Sequence, residues 1–180
     1  CLIVVPKDSK ITSLEGIRGQ RLVMPEQISY MSRLCRAEMR ENKVLPGKDN
    51  VKYVREQGAV TFYLQNKLAD VGALASYSGA AAKWTQEGQT VLFKGKPQPY
   101  FPMVASARIS PAQIAQVQRS LVEMGSEESG QAVFKTIGVQ KFDISTEQRL
   151  RDLLPFLEKP ESPKSGRLRS FAARAGGRRR

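Results

Sequence analysis

The chain of 180 residues has no histidine and only two cysteines, Cys1 and Cys35. Without histidine the commonest transition-metal ligand and general base is missing, and Ser-His-Asp or Cys-His catalysis is impossible within the chain. Two cysteines alone do not make a metal site, so neither metal nor cofactor is expected. No apolar run approaches the about 20 residues of a membrane-spanning helix, and the given chain shows no signal peptide. Acidic residues are few, 17 against 29 Lys and Arg, for a net charge of +12. That excess is uneven. The segment from Glu161 to Arg180 has seven basic residues and one acid, a net +6. Aromatics are only 7% of the chain, and no dense basic stripe interleaved with aromatics lies within the periodic region, so no nucleic-acid partner is expected. A basic nucleic-acid binder acting through the tail is the alternative of a different class.

What is present is an ordinary globular composition, 41% hydrophobic and 26% charged. Leu2 to Val5 reads as a buried strand closed by Pro6. Thr12 and Glu15 form a capping box that opens a short helix. Arg21 to Met24 is the next strand, and Ile28 to Lys43 a helix with Met31, Leu34, Cys35 and Met39 on one apolar face. On that face Cys35 reads as a small buried hydrophobe. Val51 to Val54 is a strand, Gly58 to Leu68 a helix, and Val71 to Ala75 a strand of small residues, as if closely approached by backbone or ligand. A short helix over Ser78 to Trp84 and a strand over Thr90 to Phe93 follow. Strands and helices in alternation imply an α/β fold with a mainly parallel sheet covered on both faces.

A further strand is expected over Tyr100 to Ala105. Ser110, Pro111 and Gln113 then combine an N-cap, Pro at the first helical position and a closing Gln. A second helix follows Ser126 and ends at Gly138, and a third opens at Ser145 with Gln148. Three helices without an intervening strand cannot extend the sheet and are expected to pack on another body. The Pro-, Ser-, Gly- and Arg-rich stretch 161–180 reads as a disordered basic tail. Cys1 in place of Met, followed at once by a strand-like run rather than the polar spacer of a lipidated cysteine, reads like the interior of a longer protein.

Three passages carry a resemblance in their order along the chain. Val4 to Ser9 followed by Ile11 to Val23, then Leu68 to Leu74 after a helix, then Tyr100 to Ser106 leading into Ser110 and Pro111 resemble bacterial type II periplasmic solute-binding proteins of the phosphate, phosphite and phosphonate branch. The resemblance covers Cys1 to about Pro160. It implies a type II periplasmic-binding-protein fold, with one complete doubly wound lobe and the C-terminal helices of a second, incomplete lobe. Residues 1–9 would then be a hinge strand, 10–99 the complete lobe, 100–109 the returning hinge strand, and 110–160 the C-terminal helical part of the incomplete first lobe. It also implies no enzyme, but a periplasmic substrate-binding component of an ABC importer that presents a small anionic ligand to permease subunits. The same module occurs as an extracellular ligand-sensing part of signalling proteins, which is the runner-up. Asp70 and Glu56 lie near loops, but no paired acid or base accompanies them.

The expected binding residues follow the parallel-sheet edge. Ser29, Tyr30 and Ser32 stand where a strand meets a helix N-terminus, whose free N–H groups and dipole favour an anion. Here the phosphonate binders carry a denser Ser/Thr-Ser-Gly cluster, and this chain has Ile28 and Met31. Gln57 and Gly58 repeat the geometry at the next helix, where the family often has a His-Asp pair. Ser76 and Tyr77 follow the small-residue strand at its C-terminal end, and Tyr100 borders the hinge. A truncated first lobe would also leave unpaired strand edges and apolar surface, favouring non-native self-association.

Overall fold

Five short apolar segments build one mixed sheet. A computed structural model describes residues 1–99, 102–144 and 146–159. Strands β1 (Leu2–Val5), β2 (Leu22–Pro25), β3 (Val51–Val54), β4 (Val71–Leu74) and β5 (Thr90–Lys94) lie in the order β3-β2-β4-β1-β5. β2 pairs in parallel with β3 and β4, whereas β1 is antiparallel to both β4 and β5. The segment read as a hinge strand is thus an interior strand of the sheet, and all four of its residues are buried.

Side chains that alternate along these strands feed two cores, since successive Cβ atoms point to opposite faces. Ile3, Val5, Leu22 and Met24 join Met31, Leu34, Cys35 and Met39 of helix α1 (Tyr30–Glu41). Leu2, Val4, Val23 and Leu74 join Val60 and Leu64 of α2 (Gln57–Gln65) and Ala81 and Trp84 of α3 (Gly79–Gln86). The buried Trp84 ring donates its indole N–H to the carbonyl of Thr90, 3.2 Å away. Burial of a large aromatic needs such a partner for its polar edge.

Gly72 explains the run of small residues. A Cβ there would lie 2.8 Å from Leu64 Cδ1 and 2.9 Å from Val60 Cγ1. The close approach expected at this strand is therefore made by side chains of α2. Around residue 12 the expected capping box gives way to a 3-10 turn, Leu14–Ile17, flanked by Ser13, which makes no side-chain cap.

Helices α4 (Pro111–Met124), α5 (Glu128–Ile137) and α6 (Thr146–Glu158) follow. The Ser110 and Gln113 capping box is present, and Gly138 ends α5 in the left-handed region with φ 70°. α5 comes so close to α4 that a Cβ on Gly130 would overlap the carbonyl oxygen of Met124. α6 does not pack on another body as expected. Leu153 is buried in the α1-side core, with Phe156 and Leu157 against it, because the apolar stripe of α6 finds the exposed flank of that core within this chain. In the described part of the expected strand at 100–105, residues 102–105 are exposed irregular chain. Pro102 has no N–H to donate to a ladder. Tyr100 and the tail 161–180 lie outside the described residues.

Candidate functional site

The C-terminal ends of β2, β4 and β5 and the start of the antiparallel β1 meet at one edge of the sheet. Chain leaving a parallel strand there is well placed to form a ligand crevice. A cavity of about 540 Å³ opens at this edge. Tyr30 enters from the first position of α1, Ser76 and Tyr77 from the β4–α3 connection, and Lys94 and Lys96 from the end of β5. Met31, Leu34, Pro97 and Pro99 give apolar wall, and α6 adds Leu150 and Leu153. Among the described lining residues there are two lysines and no carboxylate.

Tyr30 is the informative group. Its hydroxyl oxygen is buried and has no hydrogen-bond partner among the described residues. Burial, and next the nearby Tyr77 phenol, push the Tyr30 pKa up, so it stays a protonated donor at neutral pH. A buried hydroxyl without a partner costs free energy that an acceptor in the cavity would recover. Tyr77 is 53% exposed and forms the outer part of the wall.

The structure thus brings Tyr30, Ser76 and Tyr77 together and leaves four other expected residues out of the cavity wall. Ser29 caps α1, its hydroxyl accepting from the Ser32 amide at 3.2 Å. Ser32 is fully buried and donates to the Pro25 carbonyl at 2.6 Å, holding the β2 end against the helix. Gln57 accepts from the Ala75 amide at 2.9 Å, which braces the end of β4. Gly58 sits in the first turn of α2, with nothing within 4 Å of where a Cβ would stand. These polar groups serve the backbone next to the cavity, because strand ends and helix starts leave orphan N–H and C=O groups there.

Sequence reasoning missed Lys94, Lys96 and Glu38. The signal for the lysines was a pair flanking Gly95 just past a strand end. Glu38 lies on the buried side of α1, and its carboxylate accepts from the Lys96 amide at 3.1 Å. It also lies 3.0 Å from where a Gly95 Cβ would be, so glycine allows the turn to pass. Asp70, considered as a lone acid, instead forms a two-pronged pair with Arg21, at 2.7 and 2.9 Å. Its hydrogen bonds to Arg21 hold its carboxyl below the usual range. The described residues contain no cluster of three or more metal-ligating side chains.

With the fold and cavity in view, the comparisons define the class. Residues 1–150 match the family of periplasmic substrate-binding proteins of phosphonate ABC transporters, and the chain belongs to that family. It is a family of transport solute-binding proteins, not of enzymes. Among solved structures the chain is similar to XAC2383 from Xanthomonas citri bound to ATP, with a TM-score of 0.66 and 21% identity over 87% of this chain and 64% of that one. It is also similar to the periplasmic aliphatic sulphonate binding protein SsuA from Escherichia coli, with a TM-score of 0.54 and 18% identity over 89% and 48% of the two chains. An ancestral arginine-binding protein bound to glutamine gives 0.51 and 18% over 75% and 57%. At these identities the likeness shows the fold, a partial type II periplasmic-binding-protein fold. The chain spans less than two thirds of the length of these structures. No curated relative matches its sequence.

Proposed function

We propose that this chain is part of the solute-binding subunit of an ABC importer and helps to hold a small organic oxyanion, phosphonate-like, in the cavity at the sheet edge. The observation that carries this reading is the buried, unpartnered Tyr30 hydroxyl in a cavity lined by Lys94 and Lys96 and no described carboxylate. Hydroxyls and ammonium groups supply donors for a tetrahedral oxyanion, and the Met31, Leu34, Leu150 and Leu153 surface suits a short carbon chain. The family description names phosphonate, and SsuA is described as an aliphatic sulphonate binder, both tetrahedral anions on carbon. Ligand would favour a closed arrangement by its extra contacts there, and the closed form would be the one offered to membrane permease subunits. The Cys1–Cys35 disulfide supports a periplasmic setting, since such bonds persist in oxidising compartments.

The test is calorimetric titration of the protein with methylphosphonate, longer alkylphosphonates, alkanesulfonates and inorganic phosphate. One of these anions should bind saturably, and Tyr77→Ala should weaken it by roughly tenfold to a hundredfold, as for a lost hydrogen bond to a charged group. No saturable binding of any of them, or unchanged affinity in Tyr77→Ala with unchanged circular dichroism, would count against the reading.

A further inference from the structure

Helix α1 carries a second constellation on a flank that the solute cavity does not use. Arg33, Arg36 and Arg40 recur at three- and four-residue steps, so one stripe of the helix bears three guanidinium groups. Gln27, Leu157 of α6 and Lys159 just past its end join them around a separate cavity of about 240 Å³. The scaffold holds three of these residues in place. Arg36 donates to the Tyr53 hydroxyl, Arg40 donates to the Phe156 carbonyl, and Lys159 pairs with Glu41 at 2.9 Å.

One group there points to an absent acceptor. The Arg40 side chain is only 13% exposed, and its Nε–H is buried without a hydrogen bond among the described residues, Glu41 standing 3.9 Å off. The exposed Arg33 guanidinium has no ion pair or hydrogen bond among the described residues. Planar guanidinium groups match the paired oxygens of phosphate, and several cations favour a multiply charged anion.

We propose that this cavity is a second anion site, taking a small phosphate-bearing ligand of the inorganic phosphate or pyrophosphate kind. Because α1 and α6 both line it, the anion would also fasten α6 against the lobe. This goes beyond the solute-binding reading and uses none of the residues assigned to it.

The experiment is calorimetric titration of the whole chain with inorganic phosphate and with pyrophosphate at low salt, with thermal unfolding followed in parallel. Pyrophosphate should bind at one site, more tightly than phosphate, and raise the unfolding temperature. Arg33→Glu should weaken it by about tenfold or more, and Arg33→Gln and Lys159→Gln by smaller factors. Replacing the last three residues (Arg178→Gln, Arg179→Gln and Arg180→Gln) should leave the affinity unchanged. Absence of saturable binding at millimolar anion, affinity unchanged from the parent in both Arg33 variants, or loss of binding on neutralising the three tail arginines would each overturn the proposal.

Discussion

Cys1 and Cys35 form a disulfide, with their Cα atoms 5.4 Å and 34 positions in sequence apart. It joins the start of β1 to the buried face of α1 and stands beside the solute cavity, which Cys1 helps to line. Cys35 is fully buried, as its helix face predicts, but as a cross-link rather than as a lone small hydrophobe. Closing a loop of this length restricts the unfolded chain. The double variant Cys1→Ser with Cys35→Ala should lose about 2–4 kcal/mol in equilibrium urea unfolding. An unchanged midpoint and slope would mean that the bond contributes nothing to stability.

Gly72 predicts an overpacking effect. Its neighbours are Leu64 and Val60, both buried in the α2-side core, so an added methyl must displace packed side chains. Gly72→Ala should cost about 1–3 kcal/mol. Combining it with Leu64→Ala should cost less than the sum of the two single changes, because the second makes room for the first. Strict additivity in urea titrations would remove the steric explanation.

Tyr30→Phe separates binding from folding. The buried hydroxyl has no described partner, so deleting it removes a desolvation cost and should leave the unliganded protein as stable or slightly more stable. Affinity for the oxyanion should fall in the same variant. A clear loss of stability without ligand would show that the hydroxyl already has a structural partner.

The Arg21–Asp70 pair predicts a pH effect of known sign. Asp70 is held below its ordinary pKa chiefly by its hydrogen bonds to Arg21, so the native state prefers it ionised. The stabilisation is present above the unfolded value of about 3.9 and is lost as pH falls through the lower native one. Asp70→Asn should therefore unfold more easily than the parent at neutral pH, and the gap should close in acid. The pair is largely exposed, which makes the effect small. A gap that widened in acid would contradict the sign.

Val117 and Val122 of α4 and Val133 and Ile137 of α5 are all substantially exposed. Apolar surface of this kind promotes association. The 180-residue chain alone should self-associate at micromolar concentration in sedimentation velocity, and Val133→Lys with Ile137→Lys should reduce it. A single monomeric species throughout would remove the prediction.

Much of the fold was legible in short windows of sequence. The stripe of Met31, Leu34, Cys35 and Met39 located α1 and its buried face, the strand read over Val51–Val54 is β3, and Ser110 with Gln113 marked the start of α4. These signals depend on periodicity and on hydrogen bonds between residues a few positions apart, so the local chain carries them in full. Tertiary structure alone decided that β1 runs antiparallel between β4 and β5, that Cys35 meets Cys1, and that α6 brings Leu150 and Leu153 to a cavity begun by Tyr30 and Tyr77. It likewise turned Ser32 and Gln57, plausible ligand donors by position, into braces for the backbone of β2 and β4. Which partner a strand edge, a thiol or a hydroxyl finds depends on segments tens of residues away competing to bury apolar surface and satisfy polar groups, and no local pattern records the outcome of that competition.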